Sequence, residues 1–342
     1  MFKIKYWKKE LAFEYPFTIS KGTKTHQPTF VVELEWRGIR AYGEAPAITY
    51  YDITVDQMEK DLNAKFKFVE NFSFTEPKRF WHFLHHLFPK NPFLVSALDM
   101  AGWDLYAKIR NKPLYEIWKL DLKTAPITDY TIGIDSIEIM LNKIKLHPSP
   151  IYKIKVGGEA DLKNLIQIRS HTSSKIRIDA NGGWTLDQAI EMLPTLEVLS
   201  LELIEQPFPK DAYEDTRSFS KMTNIPIFAD ESCVGVGDVE KCIGVFVGIN
   251  IKLTKSSGIT PALEMIKKAR LNNLKIMLGS MNESTIGTAA LAHLAPMADY
   301  LDADGPLLLN DDLASGISYT DFHLHPSTLP GLGIQVMPSE FN

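Results

Sequence analysis

From about residue 125 onward the chain repeats one pattern. A short apolar stretch ends in charged or polar residues, and a stretch with apolar residues at helical spacing follows. The apolar stretches are DYTIGID (129–135), IYKIKVG (151–157), KIRIDANG (175–182), LELIEQP (201–207), IPIFADES (225–232), GINIKLTK (248–255), KIMLGSM (275–281) and DYLDADG (299–305). Segments such as LDQAIEMLPTLEVL (186–199) and TPALEMIKKARLNN (260–273) lie between them and carry the helical period. Eight strand–helix alternations predict a closed parallel α/β barrel, because strands covered on both faces read as near-continuous apolar runs. An open doubly wound sheet is the alternative, but no glycine-rich phosphate-binding turn follows the first strand.

The first 120 residues read differently. FKIKYWKKEL and TFVVELEWRG alternate in the antiparallel style, and helical stretches follow. Of these, FLVSALDMAGWDLYAKIRN (93–111) reads as the most strongly amphipathic. The expected division is an α+β domain over 1–120, a barrel over 121–315, and a Gly-, Pro- and His-containing segment over 316–342 that returns to the first domain.

The 342 residues carry a net charge of −5 and no basic tail, so neither nucleic acid nor an anionic membrane is expected as a partner. MFKIKYWKKE has no apolar core and does not read as a signal peptide, and no apolar run is long enough to span a bilayer. Cys233 and Cys242 alone make neither a disulfide framework nor a zinc site, and they suit a reducing cytoplasm. The sequence leaves a homo-oligomer open.

In a parallel barrel, chemistry sits at the C-terminal ends of the strands. Strand 2 brings Lys153 and Lys155, which period two places on one face. Strands 3, 4 and 5 end in Asp179, Glu205 and Asp230, strand 6 in Lys252, and strand 8 in Asp302 and Asp304. Three carboxylates on consecutive strand ends suit Mg²⁺, and the absence of His or Cys beside them argues against zinc. Lys155 and Lys252 flank the acids on opposite sides of the ring, the arrangement of a two-base racemase or epimerase. A lysine base must lose a proton held with an ordinary pKa near 10.4, and the ammonium of Lys153 and a nearby dication both favour that loss.

The set KIK (153–155), DANGGW (179–184), EQP (205–207), ADES (229–232) and NIKLTKSSG (250–258) resembles the enolase superfamily, in its muconate-lactonizing-enzyme-like subgroup. The resemblance implies a modified TIM-type (β/α)7β barrel with an N-terminal α+β capping domain. It implies one Mg²⁺ per subunit on Asp179, Glu205 and Asp230, and Lys155 and Lys252 as the acid/base pair. Lys153 would contact a substrate carboxylate and tune Lys155. The step shared by that superfamily is removal of a proton α to a carboxylate, giving a Mg²⁺-stabilised enediolate.

LDADGP (301–306) is similar to the dipeptide epimerases, where an Asp-x-Asp holds the substrate's α-ammonium. Two carboxylates there would repel a muconate or succinylbenzoate. The same resemblance puts Thr131, Gly279, Ser280 and Met281 in the pocket wall, and Glu231 and Asn181 behind the metal ligands. Loops at about 16–26 and 44–53 would close over the barrel. Ala-Glu epimerases carry a cation, typically arginine, in the first of these loops. This chain offers Lys21 and Lys24 there, with Ile19, Ile48, Tyr50 and Tyr51 nearby, so Ala-Xaa with small or apolar Xaa is expected to be accepted at least as well as Ala-Glu. Peptides derived from peptidoglycan are the source the resemblance suggests.

An Ala-Glu epimerase, and a cycloisomerase or o-succinylbenzoate-synthase-like lyase on the same scaffold, are the alternatives. A Schiff-base lysine enzyme and a metal- or peptide-binding barrel without turnover are the more distant ones. His82 and His86, at i and i+4 in WHFLHHLF, are expected to be ordinary helix residues, and HLHP (323–326) part of the tail.

Overall fold

The computed structural model describes residues 1–158 and 160–341. Its first unit is an antiparallel sheet of β1 (Lys3–Ile19), β2 (Gly22–Trp36) and β3 (Ile39–Pro46), in that order. The sheet packs on α1 (Val55–Glu70), α2 (Pro77–Leu87) and α3 (Pro92–Ile109). Each helix starts where its sequence provides a start. The Thr54 hydroxyl accepts from Gln57 N, Asn91 accepts from Leu94 N, and α2 and α3 open with proline. The β1–β2 ladder shifts register between Ala12 and Phe17, then pairs on to Ile19 and Gly22. The segment expected as a loop at 16–26 is therefore the tip of a long hairpin.

α3 differs from expectation. Of its 18 residues 13 are buried, all round the helix, because β3 covers one side and barrel helices the other. It is a central helix rather than an amphipathic one.

The second unit is an eight-stranded parallel sheet: β4 (Tyr130–Ile132), β5 (Ile151–Lys155), β6 (Lys175–Asp179), β7 (Leu203–Glu205), β8 (Ile227–Ala229), β9 (Gly248–Ile251), β10 (Lys275–Gly279) and β11 (Tyr300–Asp302). Neighbours in sequence are neighbours in space throughout, and a parallel bridge between Thr128 and Leu301 joins the two edges into a barrel. α-Helices follow the first seven strands, whereas β11 is followed by a 3₁₀ turn at Gly305–Leu308, so the architecture is (β/α)7β. All five residues of β5 are buried, Lys153 and Lys155 included.

Buried acids of the first unit fasten it to the second. Glu44 on β3 accepts from Ser284 N (3.1 Å) and Gly287 N (2.9 Å) at the start of the helix Thr285–Leu294. Asp99 on α3 accepts from Thr260 N (2.9 Å) and Thr260 Oγ1 (2.7 Å) at the start of the helix Ile259–Leu271. Both cap a barrel helix from outside it, where an anion also meets the positive end of the helix dipole.

The tail first pairs as a short hairpin, Ile317–Thr320 with His323–Pro326, beside the barrel. It then reaches the first unit, where Leu332 N donates to Asp104 Oδ1 (2.8 Å) and Phe341 stacks edge-on with Trp7. Its last residue, Asn342, lies outside the described residues. No described helix is long and apolar enough to cross a membrane.

Candidate active site

Strand register sets the site. Thr131 pairs with Lys153, Lys155 with Asp179, Asp179 with Glu205, and Gly279 with Asp302. Period two then turns Lys153 and Lys155 together into the barrel mouth. Carboxylate oxygens of Asp179, Glu205 and Asp230 lie within 4.8 Å of one another, and all three residues are buried. Lys155 ends β5 and Lys252 follows β9, four strands apart in a ring of eight, so they face each other across these acids. Both lysines line one cavity together with Thr131, Lys153, Ser280, Met281, Asp302 and Asp304.

The two neighbouring lysines are not left to repel each other. Lys153 Nζ lies 2.6 Å from Asp302, 2.7 Å from Glu205 and 3.2 Å from Asp179, while Lys155 Nζ lies 2.6 Å from Asp179. Burial works against the charge on Lys153, but these carboxylates outweigh it and hold its pKa well above the usual lysine value. Lys252 pairs with Asp230 at 2.8 Å, and its pKa is raised in the same way against the effect of burial. Burial would lift Asp230, yet Lys252 and Lys255 hold it well below the carboxylate range. Burial and the Asp179 charge push Glu205 up to about 7. Oxygen-only donors, buried, adjacent and partly neutralised by ammonium groups, fit a hard dication such as Mg²⁺.

Asp302 and Asp304 do share a face, and their oxygens form a second acidic group with Asp129. Asp304 Oδ2 accepts from Thr131 N at 2.6 Å, and burial followed by the Asp302 charge lifts it to about 6. One expected wall residue is misplaced. Gly279 is not among the residues lining the cavity; a Cβ there would lie 2.4 Å from the Asn250 amide, so the glycine makes room for Asn250. His82 and His86 sit on the outer face of α2, where His86 Nδ1 is 2.7 Å from His82 O.

Several supporting residues carry no signal of their own in the sequence. Asn250 Nδ2 donates to Glu205 Oε1 (2.8 Å), and Lys255 donates to Asp230 from the turn after β9. Gln206 Oε1 accepts from Asp230 N (2.9 Å) and Ser232 N (3.0 Å), fixing the loop that carries Asp230. Beneath the site Arg177 is buried, with Nη1 2.8 Å from Asp129 and Nε 2.6 Å from Glu202.

The first unit closes the cavity. Ile19, Lys21 and Lys24 come from the hairpin, and Ile48, Tyr50 and Tyr51 from the segment after β3. Lys24 is bonded to the Gln27 amide oxygen and pairs with no carboxylate among the described residues. Burial, then the charges of Lys155 and Lys252, lower its pKa to about 8.

Residues 1–118 match the family described as mandelate racemase / muconate lactonizing enzyme, N-terminal domain, and residues 143–340 match the enolase C-terminal domain-like family. The chain belongs to the enolase superfamily. Among relatives of this superfamily member, the L-Ala-D/L-amino acid epimerase of Flavobacterium johnsoniae is 41% identical over 96% of this chain and 97% of its own. The substrate-liganded L-Ala-D/L-Glu epimerase from Bacillus subtilis superposes with a TM-score of 0.92 at 28% identity, covering 97% of this chain and 98% of that one. A dipeptide epimerase from Cytophaga hutchinsonii, complexed with Mg and D-Ala-L-Val, also gives a TM-score of 0.92, at 30% identity over 98% and 95% of the two chains.

Proposed function

We propose that the protein is a Mg²⁺-dependent dipeptide epimerase that inverts the α-carbon of the C-terminal residue of Ala-Xaa. The observation that carries this reading is the pair Lys155 and Lys252 opposed across one cavity, with the acid triad between them and Asp302 and Asp304 on the same wall. In it Lys155 and Lys252 move the proton, one removing it from one face of the α-carbon and the other returning it to the opposite face. Asp179, Glu205 and Asp230 would hold Mg²⁺, which supplies stabilisation of the negative charge that develops on the substrate carboxylate. Lys153 faces that carboxylate, Asp302 and Asp304 hold the α-ammonium, and Thr131, Ser280 and Met281 confine the peptide. Residues 1–120 act as the cap, 121–315 as the catalytic barrel and 316–342 as the returning segment. The buried free thiols Cys233 and Cys242 support a cytoplasmic setting, with peptides released from peptidoglycan as the source.

Ile19 and Ile48 in the wall support small or apolar Xaa. Lys24 supports a second reading, acidic Xaa, because a part-buried ammonium with no carboxylate partner among the described residues suits an anionic side chain. Incubation in D₂O with Mg²⁺ and Ala-Xaa dipeptides, followed by NMR, tests both. Exchange with inversion at the C-terminal α-proton, abolished by EDTA, is the expected result, and no exchange with any dipeptide overturns the reaction. Comparable turnover of Ala-Leu and Ala-Glu is expected. A Lys24→Met variant that loses about thirtyfold on Ala-Glu alone would establish the acidic subsite.

A further inference from the structure

Lys21 and Lys24 both reach the cavity from the hairpin, but their partners differ. Lys21 stands at the turn between β1 and β2. Its Nζ lies 3.1 Å from Glu231 Oε1 and 3.6 Å from the centre of the Tyr50 ring. Glu231 Oε1 also accepts from Asn181 Nδ2 (3.3 Å), and Asn181 N donates to Asp179 Oδ1 (3.0 Å). A continuous chain of polar contacts thus runs from the hairpin tip through the end of β8 to the end of β6.

The rest of the tip is lightly held. Ser20 rests on Gly157, which has a φ of +132° and where a Cβ would lie 2.5 Å from Ser20 Cβ. The backbone contact nearby is Ile134 N to Thr18 O at 2.9 Å, and Ser20 Oγ has no partner among the described residues. No large apolar side chain is buried between Thr18 and Thr25. The Lys21 contact is the strongest available fastening, since Glu231 is buried and the pair is correspondingly less screened by salt.

We infer that Lys21 is a positioning residue and not a substrate ligand: paired with Glu231 and stacked on Tyr50, it latches the hairpin tip to the barrel and so holds Ile19 and Lys24 in the cavity wall. Its charge is already matched by Glu231, whereas among the described residues Lys24 meets only a neutral amide. Tyr50 belongs to the turn Thr49–Tyr51, so one ammonium gathers both cap segments that face the cavity.

The test uses the full chain with Lys21→Met and Lys21→Arg. Lys21 is about one-third exposed, so neither change threatens folding. Amide exchange of residues 17–25 is read by mass spectrometry without substrate, and the KM and kcat of a turned-over dipeptide are read separately. In Lys21→Met the tip amides are expected to exchange about fivefold faster, as loss of a part-buried ion pair with a cation–π contact predicts. Amides of α3 should be unchanged. KM should rise by about the same factor with kcat within about twofold, the pattern of lost binding rather than lost chemistry. Lys21→Arg should restore both, since arginine can pair and stack at the same place. Unchanged exchange at the tip overturns the inference, and so does a fall in kcat without faster exchange. The kinetic arm rests on the proposed reaction; the exchange arm needs no substrate and decides the latch even where no dipeptide turns over.

Discussion

Arg177→Met is the substitution whose cost follows most directly from the structure. The guanidinium is buried on β6, with Nη1 2.8 Å from Asp129 and 2.8 Å from Leu301 O, and Nε 2.6 Å from Glu202. Methionine fills much of the volume but removes every one of these bonds. Asp129 is then a buried acid beside Asp302 and Asp304 with its cation gone, and Leu301 O loses a donor. Removing one partner of a buried pair typically costs about 3–5 kcal/mol, because the other charge stays behind. For a chain of 342 residues that is a fall in Tm of roughly 4–7 °C. Burial, then the Asp302 charge, raise the pKa of Asp129, and the Arg177 charge opposes them, so the variant raises it further. A carboxylate with a raised folded-state pKa binds its proton more tightly when folded. Its contribution is therefore fully present below the unfolded value and lost as pH rises through the folded one. The deficit of Arg177→Met should accordingly be larger at pH 8 than at pH 5. Differential scanning calorimetry of the wild type, Arg177→Met and Arg177→Met/Asp129→Asn at both pH values checks this. The double variant should recover at least half of the loss. A single variant within about 1 °C of wild type, or a double variant no better than the single, would refute the reasoning.

Two further outcomes follow from the same geometry. Lys155→Ala and Lys252→Ala should each abolish α-proton exchange from one epimer of a substrate while leaving measurable exchange from the other, with losses of about 10²–10⁴-fold on the affected side; NMR in D₂O with separately prepared epimers reads it, and equal loss from both epimers in both variants would contradict two opposed bases. Asp99→Ala removes the cap that α3 supplies to the helix Ile259–Leu271 and should cost about 1–2 kcal/mol, seen as a lower unfolding midpoint in urea, with Asp99→Asn milder because one acceptor remains.

What could be read from the sequence was local. A run of buried strand formers followed by a charged residue marks a barrel strand and its C-terminal end together, which is why Lys153, Lys155, Asp179, Glu205 and Asp230 were legible one by one. Contacts between distant positions were not. Arg177 meets Asp129 across 48 positions, Lys153 meets Asp302 across 149, and Glu44 meets Ser284 across 240. No periodicity encodes such pairs. The resemblance places a loop at about 16–26, yet Phe17–Lys24 and Thr18–Thr23 still pair. The stretch 93–111 reads as amphipathic in the sequence, but the polar residues Asp99 and Asp104 of α3 are buried. They point into neighbouring elements and are satisfied there. Lys255 was overlooked because NIKLTK offers two lysines, and only the turn after β9 decides which carboxylate oxygen each one meets.

The contacts that join the two units differ in kind, and the difference bears on how one scaffold serves several substrates. Glu44 and Asp99 are fully buried and accept backbone N–H groups of the barrel, bonds that any displacement of the cap would leave unsatisfied inside the protein. These hold the cap to the barrel as a body. The hairpin tip is held through one part-exposed lysine and a few backbone contacts, so local opening there costs far less than undocking. The residues proposed to face the reacting carbon, Lys155 and Lys252, stand at the ends of barrel strands and inherit the rigidity of the closed sheet. The residues that would read the outer side chain, Ile19 and Lys24, stand on the tip. Chemistry therefore rests on the part of the molecule that cannot move cheaply, and selectivity on the part that can, so substitutions in residues 17–25 should redistribute activity among dipeptides while those on β5 to β9 remove it.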